Sequence, residues 1–232
     1  MTCLAVIPAR GGSKRIQNKN IYQILGKPAI SYAISTALNS ELFSDVFVST
    51  DSSEIASIAK SYGATVGNLR DSSLSDDHST TMEVISGFVN SELNSRNYPD
   101  FICCIYPVTP LLTPNRIQEG YFLVVQNPMN FVFSVVPATS PPERSFQLNE
   151  KLEPIFGTTN RIDVRTQDLT QQFNDAGQFY WGATNLWLGQ DSIIRRYSKA
   201  VKLGKHEVID VDDIEDMKLV EILLQARNNG IS

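Results

Sequence analysis

The sequence predicts an α/β fold, a doubly wound and mostly parallel sheet covered by helices on both faces. Three observations point there. Short apolar runs alternate with segments of helical period from the N-terminus to about residue 136, joined by short connections. The run FICCIY at 101–106 is apolar at every position, as befits a strand buried on both sides. The first apolar run also feeds directly into a glycine-rich loop, the usual entry to such a sheet.

The elements follow in order. Residues 3–7 read as a strand, and PAISYAISTALN at 28–39 as a helix with Pro28 at its first turn. DVFVST at 45–50 is a second strand ending at Asp51, and 53–62 a short helix stopped by Gly63. A Ser/Asp-rich loop at 70–79 precedes a helix near 80–93. Pro107 ends the 101–106 strand, a helix follows at 114–126, and FVFSVV at 131–136 forms a further strand. Regularity then fails over 138–175, where Pro141, Pro142 and Pro154 interrupt weakly periodic sequence. This stretch is expected to leave the sheet as a small extension or dimerisation arm of a single 1–232 domain. Order is expected to return with QFYW at 178–181 and with 207–212, before an amphipathic helix over 214–227. Ligands of such sheets lie beyond the carboxyl ends of the strands, so the loops at 8–20, 51, 70–80, 107–110 and 137–144 should face one crevice.

Charge is unevenly distributed. The formal net charge is -5, yet no acidic residue precedes Glu41 and the first 40 residues hold Arg10, Lys14, Arg15, Lys19 and Lys27. A net acidic chain argues against general nucleic-acid binding. No apolar run reaches the length of a membrane span, and no secretory leader opens the chain, so a cytoplasmic protein is expected. Cys3, Cys103 and Cys104 lack metal-ligand spacing and read as reduced core residues.

Two segments carry the chemistry. In LAVIPARGGSKRIQNKN at 4–20, a strand runs into Gly11 and Gly12 amid four cations. Glycines let backbone N–H groups approach an anion closely, and the cations supply a positive well, so the loop reads as a polyphosphate cradle. It fits neither the Walker pattern nor the dinucleotide fingerprint. The segment EVIDVDDIEDMKLVEILL places five carboxylates between Asp210 and Asp216. Asp213, Glu215 and Asp216 suit a helix cap and first turn. Asp210 and Asp212 stand at i and i+2 of an extended run, on one face, where a shared divalent cation would relieve their repulsion. A cation-lined polyphosphate loop together with a carboxylate pair reads as a nucleotidyltransferase: an acceptor oxygen attacks the α-phosphate of a nucleoside triphosphate and pyrophosphate leaves.

IPARGGSKRIQNKN, CIYPVTPLL and IDVDDIEDMKL together resemble the acylneuraminate cytidylyltransferase family, the CMP-sialic acid synthetases, over essentially the whole chain. The resemblance implies a Rossmann-like nucleotidyltransferase fold, CTP and a nine-carbon acidic keto sugar as substrates, Mg²⁺, and a homodimer whose extensions reach into neighbouring sites. It implies catalytic roles for Arg10, Lys14 and Lys19, and nucleotide contacts from Ala9, Gly11, Gly12, Ser13, Asn20, Arg70, Thr80 and Thr81. Asp210 and Asp212 would be the metal ligands. Tyr106, where neuraminate-specific relatives commonly carry Gln, and DAGQFYW at 175–181 resemble the pseudaminate branch. That branch implies sugar contacts from Tyr106, Arg165, Gln167, Asp175, Gln178 and Tyr180, with Arg144, Arg161 or Arg165 facing the sugar carboxylate. Activation of an N-acylneuraminate or a legionaminate is the alternative. The octulosonate branch lacks the GGSKR cluster, and a non-catalytic nucleotide-binding regulator would not need both the cationic loop and the carboxylate pair. His78 reads as an incidental loop residue.

Overall fold

The computed structural model describes residues 1–75, 79–93, 98–157, 161–189 and 192–230. Strand β1 (Cys3–Pro8) is buried along almost its whole length. After the cationic loop come a 3-10 turn at Lys19–Ile21 and a small ribbon, β2 (Gln23–Ile24) paired with β3 (Lys27–Pro28). Helix α1 (Ala29–Asn39) begins directly after Pro28, and its Ala29, Ile30, Ala33, Ile34 and Ala37 form the buried stripe that its period requires. Strand β4 (Asp45–Ser49) leads to α2 (Ser53–Ser61), where the Ser52 hydroxyl accepts from the Ile55 N–H as cap. Helix α3 (Thr81–Glu92) starts with a reciprocal cap between Thr80 and Glu83. Strand β5 (Phe101–Ile105), helix α4 (Pro114–Gln126) and strand β6 (Val132–Pro137) complete the expected series.

The excursion contains a hairpin, β7 (Phe146–Leu148) with β8 (Pro154–Phe156), and a 3-10 turn at Thr166–Asp168. All six hairpin residues are exposed, and the Phe146 and Phe156 rings meet edge to face at 5.7 Å. The chain returns as β9 (Phe173–Ala183), followed by a short α5 (Thr184–Trp187), β10 (Lys199–Lys202) and α6 (Ile214–Asn228). Order therefore resumes at Phe173, five residues before the QFYW run. Residues 208–212 are not a strand of the sheet; that place is taken by the KAVK run of β10.

The six-stranded sheet has the order β10-β6-β9-β5-β1-β4. β1 runs parallel to β4 and β5, and β10 runs parallel to β6, but β9 is antiparallel to both of its neighbours. The sheet is thus mostly parallel, as expected, with one reversed strand where the chain returns from the extension instead of crossing over through a helix. The all-apolar β5 reflects burial on both faces: Phe101, Cys103 and Ile105 join the α1 and α4 side, Ile102 and Cys104 the α3 and Trp187 side. A third apolar cluster matters most for the site. Ile16 of the cationic loop, Ile24, Ala29, Leu111, Val211 and Met217, Val220 and Leu224 of α6 are buried together. It fastens the cationic loop and the acidic segment to the same core.

Candidate active site

At the carboxyl ends of β1 and β5 lies a cleft of about 630 Å³. Pro8, Arg10, Ser13, Lys14, Arg15, Lys19 and Asn20 line one wall; Arg70, Thr81, Tyr106, Gln178 and Asp210 line the others. The opening loops at 8–20, 70–80 and 107–110 all contribute, as expected for this architecture. The loops at 51 and 137–144 are not among the lining residues, and His78 lies outside the described residues.

The cationic loop leaves the sheet in steps. Ala9 still donates its N–H to the Ser49 carbonyl (2.9 Å) and is fully buried, so it underlies the cleft rather than facing it. The Gly11 N–H goes to the Asp51 carboxylate, Oδ1 at 2.8 Å, so it is engaged by a side chain of the protein where a phosphate was expected. Gly11 is small for another reason: a Cβ there would stand 3.1 Å from Ser52 Cβ. Ser13 donates its N–H to the Gly11 carbonyl (3.1 Å), while nothing lies within 4 Å of a Cβ built on Gly12. Asn20 is buried and donates Nδ2 to the Arg10 carbonyl at 2.7 Å, tying the two ends of the loop together. The cleft's positive wall is therefore made of side chains, Arg10, Lys14, Arg15 and Lys19.

Across from it, Asp210 and Asp212 are exposed on either side of buried Val211. The alternation expected of an extended run holds although the segment pairs with no strand, because Val211 is anchored in the third cluster. Lys19 Nζ donates to the Val211 carbonyl. Desolvation pulls the Lys19 ammonium downward from its ordinary value, and Asp210 and Asp212 oppose that shift. Arg15 Nη1 pairs with Asp212 Oδ1 at 2.5 Å, a contact invisible in the sequence. Asp213 caps α6, accepting from Glu215 N (2.8 Å) and Asp216 N (3.0 Å). Asp216 returns the bond to the N–H groups of Asp212 and Asp213, which hold its carboxyl below the usual range. Asp213 and Asp216 thus form the cap expected of them, and the side chains of Asp210 and Asp212 stay outside it. Among the described residues no group of three or more His, Cys, Asp or Glu converges on one point. A cation at Asp210 and Asp212 would thus have two hard oxygen ligands and take the rest of its shell from phosphate and water, the partial protein coordination that Mg²⁺ favours.

On the far wall Tyr106 Oη and Thr81 Oγ1 are 2.6 Å apart. Burial raises the Tyr106 phenol above its ordinary 10.0, so it stays protonated near neutrality and supplies no general base. Gln178 is buried at the cleft, its Nε2 donating to the Ala176 carbonyl at 3.0 Å. Arg70 donates to the Ser49 carbonyl (3.3 Å) and Ser75 Oγ (3.0 Å); desolvation lowers it and the nearby Asp51 charge opposes that.

Nine of the expected contacts are not among the residues lining this cleft: Ala9, Gly11, Gly12, Thr80, Arg165, Gln167, Asp175, Tyr180 and Asp212, the last paired with Arg15 beside it. Thr80 is committed to capping α3. Tyr180 donates to Asp175 Oδ2 at 2.7 Å behind Tyr106, the tyrosine rings lying 5.4 Å apart, so these two support the wall and do not line it. Arg165 and Gln167 sit on the exposed Thr166–Asp168 turn, where Arg165 Nε pairs with Asp168 at 2.8 Å. The i,i+3 partner and the position on the extension keep both off this chain's own cleft. Asp51 was expected at the crevice and Arg15 among the cradle's cations, but their partners, the Gly11 N–H and the Asp212 carboxylate, were not foreseen. All three cysteines are free and buried, and burial raises their thiol pKa values, Cys3 to about 11, which makes them poor nucleophiles.

A family model described as cytidylyltransferase matches residues 4–227. The pseudaminic acid cytidylyltransferase of Campylobacter jejuni (serotype O:2) is 38% identical over 230 residues, covering 99% of both chains. The CMP-N,N'-diacetyllegionaminic acid synthase of Legionella pneumophila is 37% identical over 238 residues, covering 100% of both. A solved CMP:2-keto-3-deoxy-manno-octonic acid synthetase, complexed with CTP, superposes with a TM-score of 0.73 at 15% identity, covering 98% of this chain and all of that one, which establishes the shared fold. With its cationic loop and Asp210 lining one cleft, the chain belongs to the cytidylyltransferase family and is a CTP-utilising nucleotidyltransferase.

Proposed function

We propose that the protein transfers CMP from CTP to pseudaminic acid, with Mg²⁺ as the cation. The observation behind this reading is the convergence of Arg10, Lys14 and Asp210 on the cleft that Tyr106 and Gln178 also line. The anomeric hydroxyl oxygen of the sugar forms a bond to the α-phosphorus and releases its proton to solvent, the bond from that phosphorus to the bridging oxygen breaks, and pyrophosphate departs with the electron pair. Arg10 and Lys14 offset the charge that grows on the leaving group. A cation held by Asp210 and Asp212 would supply Lewis acidity at the α-phosphate. Tyr106 and Gln178 shape the sugar side, with Tyr180 and Asp175 fixing Tyr106 from behind. Arg70, Thr81, Ser13 and Asn20 shape the nucleotide side.

The extension suits a homodimer. Phe146, Leu148, Ile155 and Phe156 are each roughly half exposed on the hairpin, an apolar surface that a second copy would cover. Arg165 and Gln167 would then serve the neighbour's cleft. Both substrates are water-soluble metabolites, which suits a cytoplasmic reaction, and among the described residues no helix is long and apolar enough to cross a membrane.

For the sugar, the reading rests on Tyr106 and on the pseudaminic acid cytidylyltransferases of Campylobacter jejuni, 38% and 36% identical along nearly the whole chain. The legionaminate relative at 37% supports the second reading. The test is pyrophosphate release from CTP with pseudaminate, legionaminate and N-acetylneuraminate. Pseudaminate should show the highest kcat/KM, because a phenol-lined pocket gains little from extra sugar hydroxyls that must be desolvated. Equal or greater efficiency with either other sugar would overturn the assignment.

A further inference from the structure

Lys19 stands on the cationic loop, where a lysine beside a triphosphate would ordinarily be assigned to phosphate. Its ammonium is engaged elsewhere. It donates to the carbonyl of Val211, the residue between Asp210 and Asp212, across a separation of 192 residues in sequence. Val211 is only 2% exposed and packs with Ile16 and Met217, so the peptide between the two carboxylates is pinned by an apolar contact and by a hydrogen bond. Arg15, from the same loop, holds something different. Its guanidinium pairs with the Asp212 carboxylate itself, and both side chains are at least half exposed.

We propose that Lys19 is a positioning residue that fixes the spacing of the Asp210 and Asp212 carboxylates for a divalent cation, and that Arg15 is the cation's competitor, occupying Asp212 until the metal displaces it. The inference rests on the reading that these aspartates take the metal. An exposed ion pair is weak, so Arg15 yields readily to a divalent charge. The half-buried bond from Lys19 goes to a backbone carbonyl and does not obstruct the carboxylates, so it is compatible with a loaded site.

Simple electrostatics makes the opposite claim for Lys19. A cation near the site repels a metal ion, so deleting either Lys19 or Arg15 should tighten metal binding. Positioning reverses the sign at Lys19 alone. The experiment titrates the protein with Mn²⁺ in the absence of nucleotide and follows the free-ion signal by electron paramagnetic resonance. Lys19→Met should weaken Mn²⁺ binding by about 10-fold, the scale seen when a group that orients metal ligands is removed. Arg15→Gln should tighten it by about 2- to 5-fold, the worth of an exposed pair. Lys218→Gln removes the same charge from the exposed face of α6 and should shift binding less than Arg15→Gln. Should Lys19→Met fail to fold, Lys19→Gln, too short to span to Val211, bears the same expectation. Unchanged or tighter Mn²⁺ binding in the Lys19 variant overturns its role, and an Arg15→Gln effect no larger than that of Lys218→Gln overturns the competition. Loss of Mn²⁺ affinity in Asp210→Asn separates these failures from failure of the metal site itself, which an Asp210→Asn variant of wild-type affinity would reveal.

Discussion

Replacing Asp51 by Ala should loosen the cationic loop from a position outside the cleft's lining. Its carboxylate takes the Gly11 N–H at 2.8 Å and bridges the ends of β1 and β4. A hydrogen bond to a charged group contributes about 1.5–3 kcal/mol; Asp51 is partly exposed, so a loss near the lower end, about 1.5 kcal/mol, is expected. For a chain of this size that corresponds to a fall in Tm of about 3–6 °C. Turnover should suffer more. Gly11 lies between Arg10 and Lys14, and a displacement of about 1 Å in groups that position a reaction costs up to about 10²-fold. Asp51→Asn retains a carbonyl acceptor at the same reach and should recover most of both losses. Thermal unfolding and CTP-dependent pyrophosphate release measure the two quantities. Wild-type Tm and kcat in Asp51→Ala would refute the argument, and equal damage from Asn would shift the cause from the hydrogen bond to the charge beside Arg70.

Lys14→Ala should lower kcat by the equivalent of about 2–4 kcal/mol if it faces the departing pyrophosphate, with CTP binding less affected; steady-state kinetics on the folded variant decide this. Asp213→Asn should lose little activity or stability because Asn also caps helices well, whereas Asp210→Asn and Asp212→Asn should abolish most metal-dependent turnover. If Asp213→Asn is the most damaging of the three, the division between cap and metal ligands is wrong. The Arg116 guanidinium donates to Glu207 at 3.0 and 2.8 Å and holds its carboxyl below the ordinary 4.5. A depressed folded value means that the pair stabilises fully above that pH and fades as pH falls through the folded pKa. The stability gap between wild type and Glu207→Gln, measured by urea unfolding, should be constant near neutrality and shrink below 4.5. A gap that widens in acid would contradict the sign.

What the sequence made legible was local. The Asp213/Asp216 cap uses partners three residues apart, and the α1 stripe repeats with the helix, so each could be read from its own segment, whereas Thr80, expected at the nucleotide, caps α3 with Glu83. The pairing of the sheet could not. QFYW advertises a strand but says nothing of β9 lying reversed between β5 and β6, since that depends on the path of the extension. The same holds within the site. Arg10, Lys14 and Asp210 were legible because unbalanced charge on a glycine loop and alternating carboxylates are visible in one dimension. The Gly11–Asp51 bond depends on the parallel register Pro8↔Ser49, and the Lys19–Val211 bond on the docking of α6 against the cationic loop. Arg165 has the right chemistry for a carboxylate, but its place on the extension, beside Asp168 and away from this chain's own cleft, depends on a chain path that its local sequence does not show.

The reversed strand β9 also dictates an order of assembly. Among the described residues it is the sole link in the sheet between β4-β1-β5 and β6-β10. During synthesis the first group emerges early, and β5 then presents an open edge of five apolar residues until residue 183 has been added. Pairings of such long sequence separation form late, so that edge stays unpaired for more than 70 residues of elongation, ~4–16 s at ordinary synthesis rates. The strand that ends this exposure also delivers Gln178 to the cleft. Closure of the sheet and completion of the sugar side are one event, and a chain released before β9 has neither.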